Sequence, residues 1–425
     1  YWREFAAPVN PLPGGRSLLR FAAVDYLAEV WVNGVTVGGH EGGETPFVLD
    51  VTGAIRTDAP NLLAVRVLNP TNERIDGIVL AETSHRNKAV PYANGRSFNT
   101  GGITETVELL LVPAVRVEDV YARPDPKTGK VVLSADVVHS GDSPVSVNLE
   151  LTIATARGSE LVARARLQRT VSPGRWTPAI ELSVDEPHLW DLDDPFLYRA
   201  TARVWAEPAS GVHEHSARFG FRDFRVTRGF FRLNGKRIFL RSTHTGNHCP
   251  VGQIIPPAEA PDLLRRDLLY AKASGYNMVR FIAGMAHPWQ LDLCDEIGLM
   301  VYEESYAAWL LADSPKMAER FDSSTMGMVR RDRNHPSVVI WGLQNEDFDG
   351  PVFRHAVESL ALVRYLDDTR LVLLQSGRWD GQFEIGSVSN PGSHEWERVW
   401  GAEAADYDRP MQWGSGGYVI GAGDA

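Results

Sequence analysis

The hydrophobic period of this chain changes near residue 229, and that change limits what it can fold into. Upstream, apolar and polar residues alternate in short runs such as Arg16-Ser17-Leu18-Leu19-Arg20-Phe21, Glu29-Val30-Trp31-Val32 and Leu62-Leu63-Ala64-Val65-Arg66-Val67. A period of two sends successive side chains to opposite faces of a strand. Asn33-Gly34, followed by Val35-Thr36-Val37, carries the chemistry of a two-residue hairpin turn. Residues 1–114 are expected to form an antiparallel sandwich. Residues 115–227 repeat the pattern, with Lys130-Val131-Val132-Leu133 and Val145-Ser146-Val147-Asn148-Leu149 among the runs and no long helical stretch. Strands over roughly 110 residues suit an immunoglobulin-like sandwich.

Downstream the pattern alternates. Strands are expected at 238–241, 277–281, 299–302, 337–341, 371–374, 385–389 and 410–413, with helices at 258–274, 287–297, 316–331 and 352–366 between them. Strand and helix in turn mean parallel β/α units, and seven strands exceed what a small doubly wound domain needs. Residues 228–425 are therefore expected to form a (β/α)8 TIM barrel, incomplete at its C-terminal side. The whole is a multidomain β plus α/β protein.

At 425 residues the chain has room for two to four domains. A formal net charge of -11 argues against nucleic acid or an anionic membrane as partner. Two cysteines make neither a disulfide framework nor a cysteine metal cluster. No run approaches the ~18 apolar residues that span a bilayer. The opening Tyr1-Trp2-Arg3-Glu4-Phe5 reads like the middle of a folded unit, so compartment and native termini stay open, as does assembly into a homo-oligomer.

A parallel barrel carries its reacting groups at the C-terminal ends of its strands. Here those positions hold Arg241, His244, Arg280, Glu303, Glu304, Asn345, Glu346, Gln375, Ser376, Asn390, Trp413, Gly414 and Ser415, with Trp309, Trp379 and Trp396 nearby. Carboxylates, amides and rings suit a polyhydroxylated ligand, which points to carbohydrate. Glu346 closes the apolar run of Asn334-His335-Pro336-Ser337-Val338-Val339-Ile340-Trp341-Gly342-Leu343-Gln344-Asn345-Glu346 and stands beside an amide, a plausible setting for a proton donor. For Glu303 the simpler reading is a surface residue or a neighbour of a helix cap. Arg280 has two roles open, pairing with Glu304 or touching substrate. His335 is expected to close a turn and Cys294 to lie in the core. His244 and His248 lack a third well-spaced ligand, so no metal and no cofactor are expected.

At these residues the chain resembles glycoside hydrolase family 2 along nearly all its length. Trp31-Val32-Asn33-Gly34, Gly43-Glu44-Thr45-Pro46-Phe47 and Asp50-Val51-Thr52 resemble that family's sugar-binding jelly roll. Gly220-Phe221-Arg222 with Phe231-Arg232-Leu233-Asn234-Gly235-Lys236 resembles its passage from immunoglobulin-like domain to barrel. Gly275-Tyr276-Asn277-Met278-Val279-Arg280, Cys294-Asp295-Glu296-Ile297-Gly298-Leu299-Met300-Val301 and the run ending at Glu346 resemble barrel strands two to four in order. The resemblance implies a retaining exo-acting glycosidase with Glu346 as general acid/base, and Asn345, Arg280, His244, Glu304, Asn390, Trp413 and Trp379 around the sugar.

The chain departs from the family at the partner carboxylate. The resemblance places a nucleophilic glutamate at the end of strand seven, where this sequence reads Arg409-Pro410-Met411-Gln412-Trp413-Gly414-Ser415-Gly416-Gly417. The expected position is Gly414 or Ser415, and neither forms a glycosyl intermediate as a carboxylate does. Three explanations stand: substitution there, an acid supplied by Glu395, Glu397 or Asp424, or a site completed by further chain. The expectation is weak or absent hydrolysis, and the alternative is a non-catalytic carbohydrate-binding or scaffold protein on the same frame. Galactoside, glucuronide, mannoside and arabinofuranoside substrates all stay open. Arg86 and Lys88, in a long polar loop, are either sugar contacts or a solvated surface.

Overall fold

In the computed structural model, residues 1–85, 99–207, 211–227, 230–245, 258, 260–306, 311–347, 350–376, 411–413 and 417–420 are described, the side chains of 346–347, 374–376, 411–413 and 417–420 excepted. The first sandwich packs the sheet of Trp2–Phe5, Asn61–Leu68, Leu27–Val32 and Val35–Glu41 against that of Phe47–Asp50, Arg16–Phe21 and Val107–Val112. Its Asn33-Gly34 turn has φ of 54° and 81°, the two positive values a type I′ hairpin needs, and it sets Val32 opposite Val35. Phe21, Val24, Ala28, Val30 and Val32 are fully buried between the sheets.

The second sandwich has four strands in each sheet. Val115–Pro124 pairs with Lys130–His139, which also pairs with Gly174–Trp176 and Ala179–Ser183. The facing sheet runs Leu161–Val171, Val145–Thr155, Tyr198–Glu207, Val212–Phe219. Alternating residues such as Val131, Leu133, Val137, Val147, Leu149, Leu151 and Ile153 fill the space between.

The third region is the β/α unit series. Strands β1 (Ser242–Thr245), β2 (Met278–Phe281), β3 (Met300–Glu304), β4 (Val338–Asp347) and β5 (Leu371–Ser376) pair in parallel in that order. Helices α1 (Leu263–Ala273), α2 (Pro288–Ile297), α3 (Met317–Asp332), α4 (Pro351–Glu358) and α5 (Leu360–Leu366) connect and cover them. The outer faces of the strands pack on these helices through Val279, Phe281, Val301, Trp341, Leu343 and Val372. On the inner face, Met278, Met300, Tyr302, Ile340, Leu371 and Leu373 meet Trp190, Phe224 and Leu233, so the bottom of the barrel is closed by Trp190 from a loop of the second sandwich and by Phe224 and Leu233 from the segment that follows it.

Three expectations need correction. The first barrel strand is Ser242–Thr245 rather than 238–241. Ile238 N–H still bonds back to Phe231, and the Asn277 side chain holds Arg241 N–H and Phe239 C=O, so the ladder with β2 starts only at Ser242. The expected helix 352–366 is two helices that meet at Ser359, whose Oγ donates to His355 C=O at 2.9 Å and to Asp322 Oδ1 at 2.6 Å.

The third correction concerns the last strands. Met411–Trp413 does run in the direction of β5, with Trp413 level with Gln375. Between them lies Gly417–Ile420, antiparallel to both. Only three residues separate the two final strands, enough for a hairpin; a parallel neighbour needs a crossover of roughly a dozen residues or more. The strand expected at 385–389 lies outside the described residues.

Candidate active site

The C-terminal ends of β2, β3 and β4 bring Arg280, Glu304 and Asn345 together. Arg280 Nε donates to Glu304 Oε1 at 2.6 Å, and its Nη2 donates to Asn345 Oδ1 at 2.5 Å. The guanidinium lies 4.6 Å from the centre of the Tyr302 ring. Glu304 Oε2 accepts from Ala283 N–H at 3.1 Å, where Ala283 sits at φ 57°, a left-handed conformation unusual for alanine and held by that contact. Burial raises the Glu304 carboxyl above its ordinary value, and Arg280 opposes the shift. A carboxylate saturated by arginine and a backbone N–H orients other groups better than it donates protons.

Space for this arrangement comes from Gly342, the Cα partner of Glu304. A Cβ there would lie 2.4 Å from Tyr302 Cε2 and 2.5 Å from Glu304 Cγ. Any larger residue pushes one of them out of the mouth.

A second layer braces the segment after β2. Ala286 N–H donates to Glu303 Oε1 at 3.0 Å, and Arg331 donates to Ala286 C=O at 2.6 Å. Met285 N–H reaches the Glu44 carboxylate of the first sandwich at 3.2 Å, and His287 Nδ1 pairs with Glu105 of the same sandwich. Glu303 is fully buried, which corrects the surface reading: β3 is covered on both faces, so its acidic end has no route to water. Burial and then Asp332 push the Glu303 carboxyl well up, while Arg331 pulls the other way.

His335 closes the turn before β4 through its backbone, and its ring also pairs with Asp295 Oδ2 at 2.6 Å at the opposite end of the barrel. With Asp292 these form an acidic group of metal-binding size, but Asp292 is already bonded to Arg218 and both Asp295 oxygens are taken. Cys294 is buried in the core. His244 is the Cα partner of Arg280 and is exposed on the edge strand.

Glu346 is in β4, one residue beyond Asn345; its side chain lies outside the description, as does that of Trp413. Trp379, Asn390, Gly414 and Ser415 lie outside the described residues, with Arg86, Lys88, His248, Trp309, Glu395, Trp396, Glu397 and Asp424. Sequence reasoning did not assign Glu44, Glu105 or Arg331 to the mouth. Glu44 carried one signal, its place in the Gly43-Glu44-Thr45-Pro46-Phe47 stretch between strands.

Comparison with known proteins covers all three regions. Residues 1–113 match the sugar binding domain of glycosyl hydrolases family 2, residues 115–222 match the glycosyl hydrolases family 2 model, and residues 224–391 match its TIM barrel domain. A β-galactosidase of Enterobacter cloacae is 27% identical over 384 residues, covering 86% of this chain and 35% of that protein. Another from Yersinia pestis bv. Antiqua (strain Angola) is 27% identical over 402 residues, 89% of this chain and 36% of that one. Among solved structures, a family 2 member from Bacteroides cellulosilyticus superposes with TM-score 0.70 at 25% identity, over 88% of this chain and 49% of that one. The β-glucuronidase of Bacteroides uniformis shares the fold with TM-score 0.72 at 22% identity, over 87% and 45%. The chain spans about a third of the length of these curated relatives.

Proposed function

The chain belongs to glycosyl hydrolase family 2, and on that premise we propose that its barrel mouth binds the terminal sugar of a glycoside, with Glu346 as general acid/base. The observation that carries this reading is Arg280, which gathers the Glu304 carboxylate and the Asn345 amide at the strand ends, one residue from Glu346. A protonated Glu346 would give its proton to the leaving glycosidic oxygen and then take one from water. Arg280, Glu304 and Asn345 would hold sugar hydroxyls, with His244, Trp379, Asn390 and Trp413 as further contacts.

A retaining reaction also needs a carboxylate about 5 to 5.5 Å from the first, as nucleophile. The stretch Arg409-Pro410-Met411-Gln412-Trp413-Gly414-Ser415-Gly416-Gly417 offers none. Gly414 or Ser415 stands at the nucleophile's position in this reading, so hydrolysis by this chain is absent or very weak. The same missing acid favours a second reading, a carbohydrate-binding protein without turnover.

Release of nitrophenol from nitrophenyl β-galactoside, β-glucuronide, β-mannoside and α-arabinofuranoside tests both. The unaltered chain, Gly414→Glu and Ser415→Glu are compared. Hydrolysis only after a glutamate is added identifies the lost nucleophile and the sugar. Turnover by the unaltered chain at the usual ~1 to 1000 per second sinks the substitution reading. Silence from all three, with sugar still bound, selects the binding protein.

A further inference from the structure

Glu303 and Glu304 are neighbours on β3 and face opposite ways. Val301 and Phe281, the Cα partner of Glu303, lie in the outer core, whereas Tyr302 is on the inner face, so alternation puts Glu303 outside and Glu304 inside. Both nevertheless hold the segment between β2 and α2. Glu304 Oε2 takes Ala283 N–H from within the barrel, and Glu303 Oε1 takes Ala286 N–H from behind it. Because Arg280 bonds to the same Glu304, a shift of the segment is passed to the sugar site.

The surroundings of Glu303 are short of positive charge. Glu303 and Asp332 are both fully buried, and one nitrogen, Arg331 Nη2, reaches an oxygen of each, at 3.4 Å and 2.7 Å. Arg331 also donates to Glu44 C=O, whose own carboxylate sits on Met285 N–H. Cys294 of α2 feels the Glu303 charge, but burial pushes its thiol up and keeps it neutral. Among the described residues, three carboxyls therefore share one guanidinium. Two acids held this close in a buried site do not both ionise. Asp332 is the better paired, through Arg331 Nε at 2.8 Å as well as Nη2. Glu303, raised by burial and by Asp332, keeps the proton and bonds to Asp332 with it. Its Oε2 has no N–H or O–H donor among the described residues, as suits an oxygen that carries the hydrogen itself.

We propose that Glu303 is a positioning residue for the sugar site: sharing one proton with Asp332, it fixes the segment that holds Glu304, and giving that proton up to solvent at alkaline pH loosens the segment and weakens sugar binding. The assignment rests on the reading of the mouth as a sugar site. Once the proton is gone, two negative charges face one guanidinium, and Glu303 is the one held less firmly. It swings away and takes its oxygen from Ala286 N–H. A carboxyl raised on folding loses its proton as pH rises, so the effect belongs to the alkaline side.

Glu303→Gln tests this, because its Oε1 still serves Ala286 N–H and its Nε2 puts an N–H where the shared proton lies. Glu303→Met keeps the length and loses both. The infrared difference between the unaltered chain and Glu303→Gln at pH 7 should show the carbonyl stretch of one protonated carboxyl; its absence overturns the shared proton whatever the sugar does. The full chain is then titrated calorimetrically from pH 7 to 9.5 with phenyl 1-thio-β-D-galactoside and phenyl 1-thio-β-D-glucuronide, which resist hydrolysis. Affinity of the unaltered chain for whichever it takes should fall about fivefold over that range, on the scale of one hydrogen bond. Glu303→Gln should match it at pH 7 and stay level to pH 9.5, and Glu303→Met should be about tenfold weaker throughout. Coincident pH profiles for the unaltered chain and Glu303→Gln overturn the positioning role, and they decide it even where Glu303→Met does not fold. A folded Glu303→Met with full affinity overturns it too. No binding of either thioglycoside by the unaltered chain overturns the sugar-site reading and the positioning role with it, while the infrared band still judges the proton pair by itself.

Discussion

The two sandwiches are built from the same strand grammar, yet they dock on opposite ends of the barrel by different chemistry. The second meets the N-terminal ends of the strands. Trp190 is fully buried there and donates from Nε1 to Asp295 C=O at 2.9 Å; Arg222 reaches the carbonyls of Pro336 at 3.1 Å and Val338 at 2.9 Å. Asn334 exchanges hydrogen bonds with the backbone of Ala122 and Val120. The first sandwich meets α3 and the segment after β2. Its contacts include Glu44 on Met285 N–H, Glu105 on His287, and Glu41 on Arg320 Nε at 2.5 Å. Thr45 packs so close to Gly327 that a Cβ there would lie 2.3 Å from its methyl group.

The bottom combines large apolar groups and bonds to backbone carbonyls with ion pairs such as Arg218 with Asp292 and Arg333 with Asp119. The mouth is held by carboxylates. In barrels of this kind the bottom serves stability and the mouth serves chemistry, and here each sandwich is matched to the end it covers.

The largest effect should come from the bottom. Trp190→Ala empties a fully buried site in the inner core and should cost about 3 to 5 kcal/mol, read as a lower urea midpoint. Sugar affinity measured well below that midpoint should hardly move. Affinity lost in proportion to stability would break the division between the two ends.

An intermediate effect separates the ends by pH. Burial opposes ionisation of Asp367, but Arg370, Thr369 and Trp341 outweigh it and hold the carboxyl down at about 2. An acid depressed on folding contributes stability above its unfolded value of about 3.9, lost as pH falls through the folded one. That acid loss should be on the order of 2 kcal/mol and should vanish in Asp367→Asn. Glu303, raised by burial and by Asp332, has the opposite sign. Its contribution is complete below the unfolded value of about 4.3 and is lost as pH rises towards its folded value. Glu303→Gln should flatten the decline on the alkaline side and leave the acid limb as it was. Unfolding midpoints from pH 2 to 9 for the three proteins decide it; coincident profiles refute the assignment of opposite limbs to opposite ends.

The smallest change in stability is expected for Glu44→Ala. Removing one partly exposed contact to Met285 N–H should cost about 1 kcal/mol. Sugar affinity should fall more than stability, because the segment beside Arg280 and Glu304 keeps only its His287–Glu105 tie to the sandwich among those described. A variant with full affinity would show that the mouth does not depend on the sandwich.

How much of this was legible in sequence differs by residue. Asn33-Gly34 announced its hairpin because a turn with two positive φ values is a local requirement. The acidic pair Glu303-Glu304 was legible as a strand end, but its burial was not, since nothing in five residues says that both faces of a strand will be covered. The start of β1 was misplaced because the Asn277 side chain, over thirty residues on, decides where the ladder begins.

By itself the sequence determined the three regions, their strand or helix periods, and the presence of an amide and a carboxylate where β4 ends. These follow from contacts a few residues apart, which hydrophobic period and turn chemistry record directly. Only the tertiary structure decided that Glu44 meets Met285 from 241 residues away and that Arg280 joins Glu304 to Asn345. Such contacts are set by the packing of whole domains, and no local pattern carries a record of them.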